Sequence, residues 1–285
     1  MIPAVVVVFL AWTALVVVLG AVAVAAAPRL VTPGSLRAAR SRASEAIGAS
    51  IAAVGRVGTG AALALAMWSV VIILGWVLGI AAGHLEDSVD RPAFRWWRDH
   101  HLGGTWSTVW WKLTDIGAPD VTFGLALGAA LVASVLYRRP AVWWAPGATL
   151  LLAWVAERYS QVILKLVVHR GHPPTTLGTW PSGGMGRVVV VYGLIIYFLV
   201  KRFWPESSRM WATGWTVLAL CASVEAYARL NNLEHWTTDV IGGALYGLLL
   251  LTMMIITYSA LGREQVATAR AVETDSAALP RERAS

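Results

Sequence analysis

ARLNNLEHWTTDVIGGALYGLLLLTMMIITYSA, residues 228–260, decides how the chain is read, because a cluster of titratable side chains passes without a break into an apolar run. A hydrocarbon core of about 30 Å is crossed by about 20 apolar residues of helix, and residues 238–260 supply that length. Arg229, His235 and Asp239 then stand where a membrane span meets water. His235 and Asp239 are four residues apart, so a helix beginning near Glu234 puts them on one face. There the carboxylate accepts the proton of one imidazole nitrogen and leaves the other as base or nucleophile. Arg229 adds a planar fork suited to a phosphoryl group. R-x5-H-x3-D is a weak pattern by itself, and an interfacial histidine with a surface salt bridge is the plain alternative.

The rest of the chain matches this membrane setting. Hydrophobic residues make up 57% of the 285, charged residues 14%, and the mean hydropathy is +0.62, figures that exclude an ordinary soluble domain. Seven spans are predicted: 3–27, 61–83, 121–137, 142–164, 188–200, 211–228 and 238–260. The first has an AVAAA stretch before Pro28, as a signal peptide does, but it lacks a basic leading region and reads as a retained anchor. The single cysteine, Cys221, lies in an apolar run, which gives neither a disulfide framework nor a CxxC metal site. The net charge of +7 is read as cytoplasmic loops and contact with anionic lipid, not as nucleic acid binding.

Basic residues mark the cytoplasmic side. Arg29, Arg37, Arg40, Arg42 and Arg56 face one acid, Glu45, in residues 28–58, and Arg138, Arg139, Lys201, Arg202, Arg209 and Arg263 fall on the same side. The amino terminus is then outside the cell membrane and the carboxyl terminus cytoplasmic. Lys165, Arg170, Arg187 and Arg229 lie at outer span ends, where an anion site would use them. Residues 1–60 form an anchor plus a basic cytoplasmic segment that suits a surface helix. Residues 84–118, charged and tryptophan-rich, read as interfacial helices, with Phe94, Trp96 and Trp97 a candidate flap over a lipid entrance. His84, His100 and His101 in this segment read as interfacial, not as metal ligands. Residues 261–285 are a polar tail expected to be disordered.

Two further clusters face the same outer side. LKLVVHRGHPP ends the fourth span with Lys165, His169, Arg170, His172 and Pro173, and WPSGGMGR, residues 180–187, precedes the fifth. Ser182 offers a hydroxyl, and the 183–186 backbone, with glycine at 183, 184 and 186, can approach an anion closely. A helix starting after them adds free amides and a positive dipole end. Positioning and charge stabilisation are what phosphoryl transfer requires.

At these residues the chain resembles the type 2 phosphatidic acid phosphatase superfamily, the membrane lipid phosphate phosphatases related to vanadium haloperoxidases. The family signature is Lys-x6-Arg-Pro, Pro-Ser-Gly-His and Ser-Arg-x5-His-x3-Asp. This chain has Lys165 with His172-Pro173, Pro181-Ser182-Gly183-Gly184, and Ala228-Arg229 with His235 and Asp239, in the same order and spacing over about residues 61–260. The resemblance implies an all-α membrane bundle of six helices, here with one extra amino-terminal span, and a site on the outer face. It implies that His235 forms a phosphohistidine oriented by Asp239, while Lys165, Ser182, Gly183 and Arg229 hold phosphate. It implies no metal or other cofactor, and a lipid phosphate or diphosphate as substrate.

Three positions depart from the signature. Ala228 replaces a serine. His172 replaces an arginine, and Arg170 is a candidate to share that phosphate-binding role. Gly184 replaces the histidine that protonates the leaving group, help worth about 10²- to 10⁴-fold. His169 or His172 is a candidate substitute acid, or a diphosphate substrate supplies a leaving group that needs none. A pseudoenzyme that binds lipid phosphate or scaffolds envelope lipid machinery stays open as the alternative. Glu157, Arg158 and Glu225, ionisable residues in spans, fit either a transporter or pairing within the bundle.

Overall fold

The structure, a computed structural model, describes residues 33–138, 143–175 and 178–278. The expected first span, 3–27, lies outside the described residues, and so does the end of the tail from 279. The described part is helical: α1 (Pro33–His84), α2 (Arg91–His100), α3 (Thr105–Leu113), α4 (Pro119–Leu136), α5 (Ala145–Val167), α6 (Gly183–Phe203), α7 (Ser208–Asn231) and α8 (Thr237–Ala278). Four stretches are long and apolar enough to cross a membrane: Gly58–His84, Pro119–Leu136, Gly183–Phe203 and Thr237–Ser259. Helices α5 and α7 have 23 and 24 residues but carry Glu157, Arg158, Lys165, Glu225 and Arg229, which lowers their apolar character. The chain is an all-α membrane protein.

The helix ends follow from local sequence. Gly55, at φ 75°, breaks α1 into a basic segment and a membrane segment, a backbone state glycine reaches without steric cost. Pro119 and Pro146 sit in first turns of α4 and α5, where the missing N–H is not needed. Ser207 caps α7 by accepting a hydrogen bond from Met210 N at 3.3 Å. The turn after α7 passes through Leu233 at φ 55°. The Asp239 carboxylate then reaches back to accept from Trp236 N at 3.3 Å, closing the start of α8. Beyond Gly262, where disorder is expected, the backbone of α8 stays helical to Ala278.

Helix α6 is the central element. Its apolar window is 78% buried, against 17% for Gly58–His84 and 22% for Pro119–Leu136. Val189, Val190 and Leu194 of α6 pack with Leu150 and Leu164 of α5 and with Tyr246 and Leu250 of α8. The outer helices expose large apolar side chains instead, among them Leu65, Ile73, Leu131, Val135, Leu152 and Leu166, the surface a bilayer covers. Helix α6 begins at Gly183, five residues before the expected start of its span, so WPSGGMG is a short loop plus a first helical turn. Arg187 is thereby drawn inside the bundle. Its Nε donates to Gly117 O at 2.9 Å, and its Nη1 to Gln161 Oε1 at 3.1 Å and Glu157 Oε2 at 3.4 Å. It braces α5, α6 and the 114–117 turn, and is not a free ligand at a span end.

Candidate active site at one end of the bundle

The end of α5, the start of α6, the end of α7 and the start of α8 meet at one end of the bundle, and they carry the three sequence clusters together. Ser182 N donates to Asp239 O at 3.0 Å, tying the α6 loop to α8. His235, 7% exposed, lies in the turn before α8, with Nδ1 3.6 Å from Asp239 Oδ2. That is looser than a hydrogen bond, as is common in unliganded sites. Burial pushes the His235 imidazole below its usual pKa, and the Arg229 and Lys165 charges push the same way, while Asp239 opposes them. The ring is therefore neutral at pH 7, the form that attacks phosphorus.

The phosphate-holding candidates divide. The Ser182 hydroxyl is buried and has no hydrogen-bond partner. Gly183 and Gly184 start α6, with the free amides of a first helical turn. A Cβ placed on Gly184 would collide with Arg229 Nη2, so Arg229 lies against that backbone. Lys165 is half-buried and, among the described residues, forms no ion pair. Its charge is felt at His235. Arg229 Nε donates to Glu225 Oε1 at 2.8 Å, and its Nη1 bonds Glu234 Oε2.

Arg170, a candidate phosphate ligand, is instead committed to protein. Its Nη1 donates to Asp239 Oδ1 and Thr238 Oγ1, both at 2.7 Å, and its Nη2 bonds Asp90. His169 and His172 are exposed, and His172 Nδ1 lies 2.7 Å from Pro173 O. Neither is brought into the buried centre. Among the described residues no group of three or more His, Cys, Asp or Glu side chains is placed to hold a metal ion.

Asp90 is the residue sequence reasoning missed. It sits in the interfacial segment just before α2 and is fully buried. Its Oδ1 accepts from Thr238 N at 2.9 Å and its Oδ2 from Thr238 Oγ1 at 2.7 Å. Rings follow it over the site: Phe94 meets Trp236 edge-on with centroids 5.5 Å apart, and Trp97 meets Tyr227 at 5.5 Å. Leu102 N donates to Asn231 Oδ1 at 2.9 Å. The segment is a packed cover. Beside it a cleft of about 440 Å³ opens between α1 and the end of α5, lined by Trp76, Ile80, Val168, His169 and Arg170.

Comparison with known proteins agrees with this geometry. Residues 138–263 match the PAP2 superfamily. The chain is similar to phosphatidylglycerophosphatase B of Bacillus subtilis (strain 168), 28% identical over 148 residues, which are 50% of this chain and 70% of the relative. It also superposes on the crystal structure of a transmembrane PAP2-type phosphatidylglycerolphosphate phosphatase from Bacillus subtilis. The TM-score is 0.55 at 25% identity, over 65% of this chain and 92% of the other. The expected all-helical membrane fold is therefore the one found, and the match over residues 138–263 agrees with the expected resemblance.

Proposed function

We propose that this protein removes phosphate from a glycerolipid or prenyl phosphate or diphosphate at the outer membrane face, through a phosphohistidine on His235. The observation that carries this reading is the convergence of four groups at one bundle end: the neutral, buried His235, the Asp239 carboxylate beside it, the Arg229 guanidinium and the amide-rich start of α6. His235 attacks phosphorus through Nε2, and Asp239 stabilises the imidazolium that forms. Arg229, Lys165, Ser182 and the α6 amides take the oxygens, each well-aimed donor lowering the barrier by about 2.7–4 kcal/mol. Water then attacks the phosphohistidine. The cleft lined by Trp76 and Ile80 gives a lipid tail an apolar path to Arg170 at the edge of the site, and the similarity to phosphatidylglycerophosphatase B favours an anionic glycerolipid headgroup.

The experiment is phosphate release by purified protein from phosphatidylglycerophosphate, phosphatidic acid and a polyprenyl diphosphate, with His235→Ala as control. Release by the native protein that disappears in the variant is expected. Release that persists in His235→Ala defeats the phosphohistidine, and headgroup binding without release by the native protein favours the pseudoenzyme.

A further inference from the structure

Transfer of phosphate from an alkyl ester expels an alkoxide, which leaves fast only when it is given a proton. Gly184 has no side chain to give one. The acids around the centre differ in what their oxygens already do. Asp239 is engaged by Arg170 and Trp236 N. Glu234 is engaged on Oε2 by Arg229 and on Oε1 by Asn232 Nδ2 at 3.4 Å. Glu225 is fully buried, with Oε1 on Arg229 Nε at 2.8 Å, and its Oε2 has no partner.

The position of this carboxyl is as telling as its free oxygen. A Cβ on Gly184 would collide with Glu225 Oε1, and a Cβ on Gly117 would come within 2.7 Å of Glu225 Cδ and 2.9 Å of Gly184 Cα. Two glycines from different elements thus leave a slot beside Arg229, and the Glu225 side chain, one helical turn before Arg229 on α7, fills it.

We propose that Glu225 is the general acid of this site, supplying from α7 the proton that position 184 lacks. The proposal rests on the phosphatase reading above. Arg229 lies between Glu225 and Glu234, and Arg187 also acts on Glu225; an arriving phosphate adds negative charge beside the buried carboxyl, and the proton stays on Glu225 until the ester oxygen takes it. His235 Nε2 forms a bond to phosphorus as the bond from phosphorus to the ester oxygen breaks. That oxygen takes the electron pair and the Glu225 proton, and departs as the alcohol. Glu225, now a carboxylate, takes a proton from the water that attacks the phosphohistidine. The P–N bond breaks, its electron pair returns to His235, and both groups are restored.

The test compares phosphatidic acid, whose alkoxide needs a proton, with p-nitrophenyl phosphate, whose phenolate does not. Glu225→Gln keeps the shape and leaves an amide oxygen for Arg229. A loss of about 10²- to 10⁴-fold is expected on phosphatidic acid, with p-nitrophenyl phosphate changed less than about tenfold. Inhibition by inorganic phosphate, retained in the variant, reports that the cradle is intact. Equal losses on both substrates overturn the proposal and make Glu225 a positioning residue for Arg229. Should Glu225→Gln lose phosphate inhibition, Gly184→His is combined with Glu225→Ala, which frees the space of the carboxylate and lets the Arg229 guanidinium, also within reach of the new Cβ, shift into it. Faster phosphatidic acid release than by Glu225→Ala alone supports the proposal, and no gain overturns it. His235→Ala run beside them separates the two readings. Activity that survives it removes the phosphohistidine and Glu225's role together, whereas activity lost there with equal losses in Glu225→Gln removes Glu225's role alone.

Discussion

Two arginines flank His235, and the chain spends them differently. Arg170, 3% exposed, pairs with Asp90 and Asp239, which come from two other elements, so three segments meet on one guanidinium. Arg229, 15% exposed, pairs with Glu225 four residues before it and Glu234 five after it, both from its own stretch of chain. The first arrangement is a tie between elements. The second holds one cation ready beside the α6 amides, at the cost of little tertiary connection. A positive charge at a phosphate site is therefore no sign of phosphate binding until its partners are counted.

The comparison breaks most visibly at Arg170. Arg170→Ala leaves Asp90 and Asp239 facing each other in a buried space, and removing one partner of such a cluster costs about 3–5 kcal/mol. Thermal unfolding in detergent should show a large drop in midpoint. An unchanged midpoint with a raised KM would return Arg170 to the phosphate ligands. Arg229→Ala should do the reverse: kcat/KM falls about 10²- to 10³-fold, as when one charge-stabilising donor is removed, while the unfolding midpoint moves less than in Arg170→Ala. Loss of fold comparable with Arg170→Ala would erase the distinction.

How much of this was legible follows from the same contrast. Spans expected at 61–83 and 121–137 correspond to Gly58–His84 and Pro119–Leu136, because hydropathy reports directly on burial in lipid. His235 and Asp239 lie close, at 3.6 Å, but not on one helical face as a helix from Glu234 would place them: α8 starts at Thr237, and His235 stands in the turn before it. Arg170 and His172 belong to a non-helical loop, where spacing does not determine direction: His172 faces out and Arg170 turns in. Asp90 pairs with a residue 80 positions away, and its composition matches the solvent-facing acids beside it, so no local pattern marks it. Arg187 was misplaced because α6 starts a turn earlier than its apolar run, which carries the side chain to Glu157.

A finer difference between the two arginines concerns the histidine. Arg229 and Lys165 disfavour the His235 imidazolium, and Asp239 favours it. Since burial already places the ring below pH 6.5, NMR of labelled imidazoles, assigned with His235→Ala, should show it titrating on the acid side of that value. Lys165→Gln removes a cation and should move the titration upward, and Asp239→Asn should move it downward. Activity limited by this group is present at neutral pH and lost as pH falls. A titration above 6.5 in the native protein would show that Asp239 outweighs burial.

The smallest effect is expected at Phe94, where the cover that carries Asp90 meets the catalytic turn. Its ring edge on Trp236 is worth about 0.5–1.5 kcal/mol beyond area burial, too little to hold the segment against the Asp90 and Arg170 tie. Phe94→Ala should thus leave unfolding nearly unchanged and alter KM by less than about tenfold, equally for short- and long-chain phosphates. A flap that opens for each substrate predicts something else. Loosening it would change kcat for long-chain lipid and leave the short-chain phosphate alone. Because Asp90 bonds both the backbone and the hydroxyl of Thr238, the residue next to Asp239, a moving cover would drag the start of α8 with it. Equal behaviour of the two substrates in Phe94→Ala therefore supports a fixed cover, with lipid reaching the site through the cleft between α1 and α5.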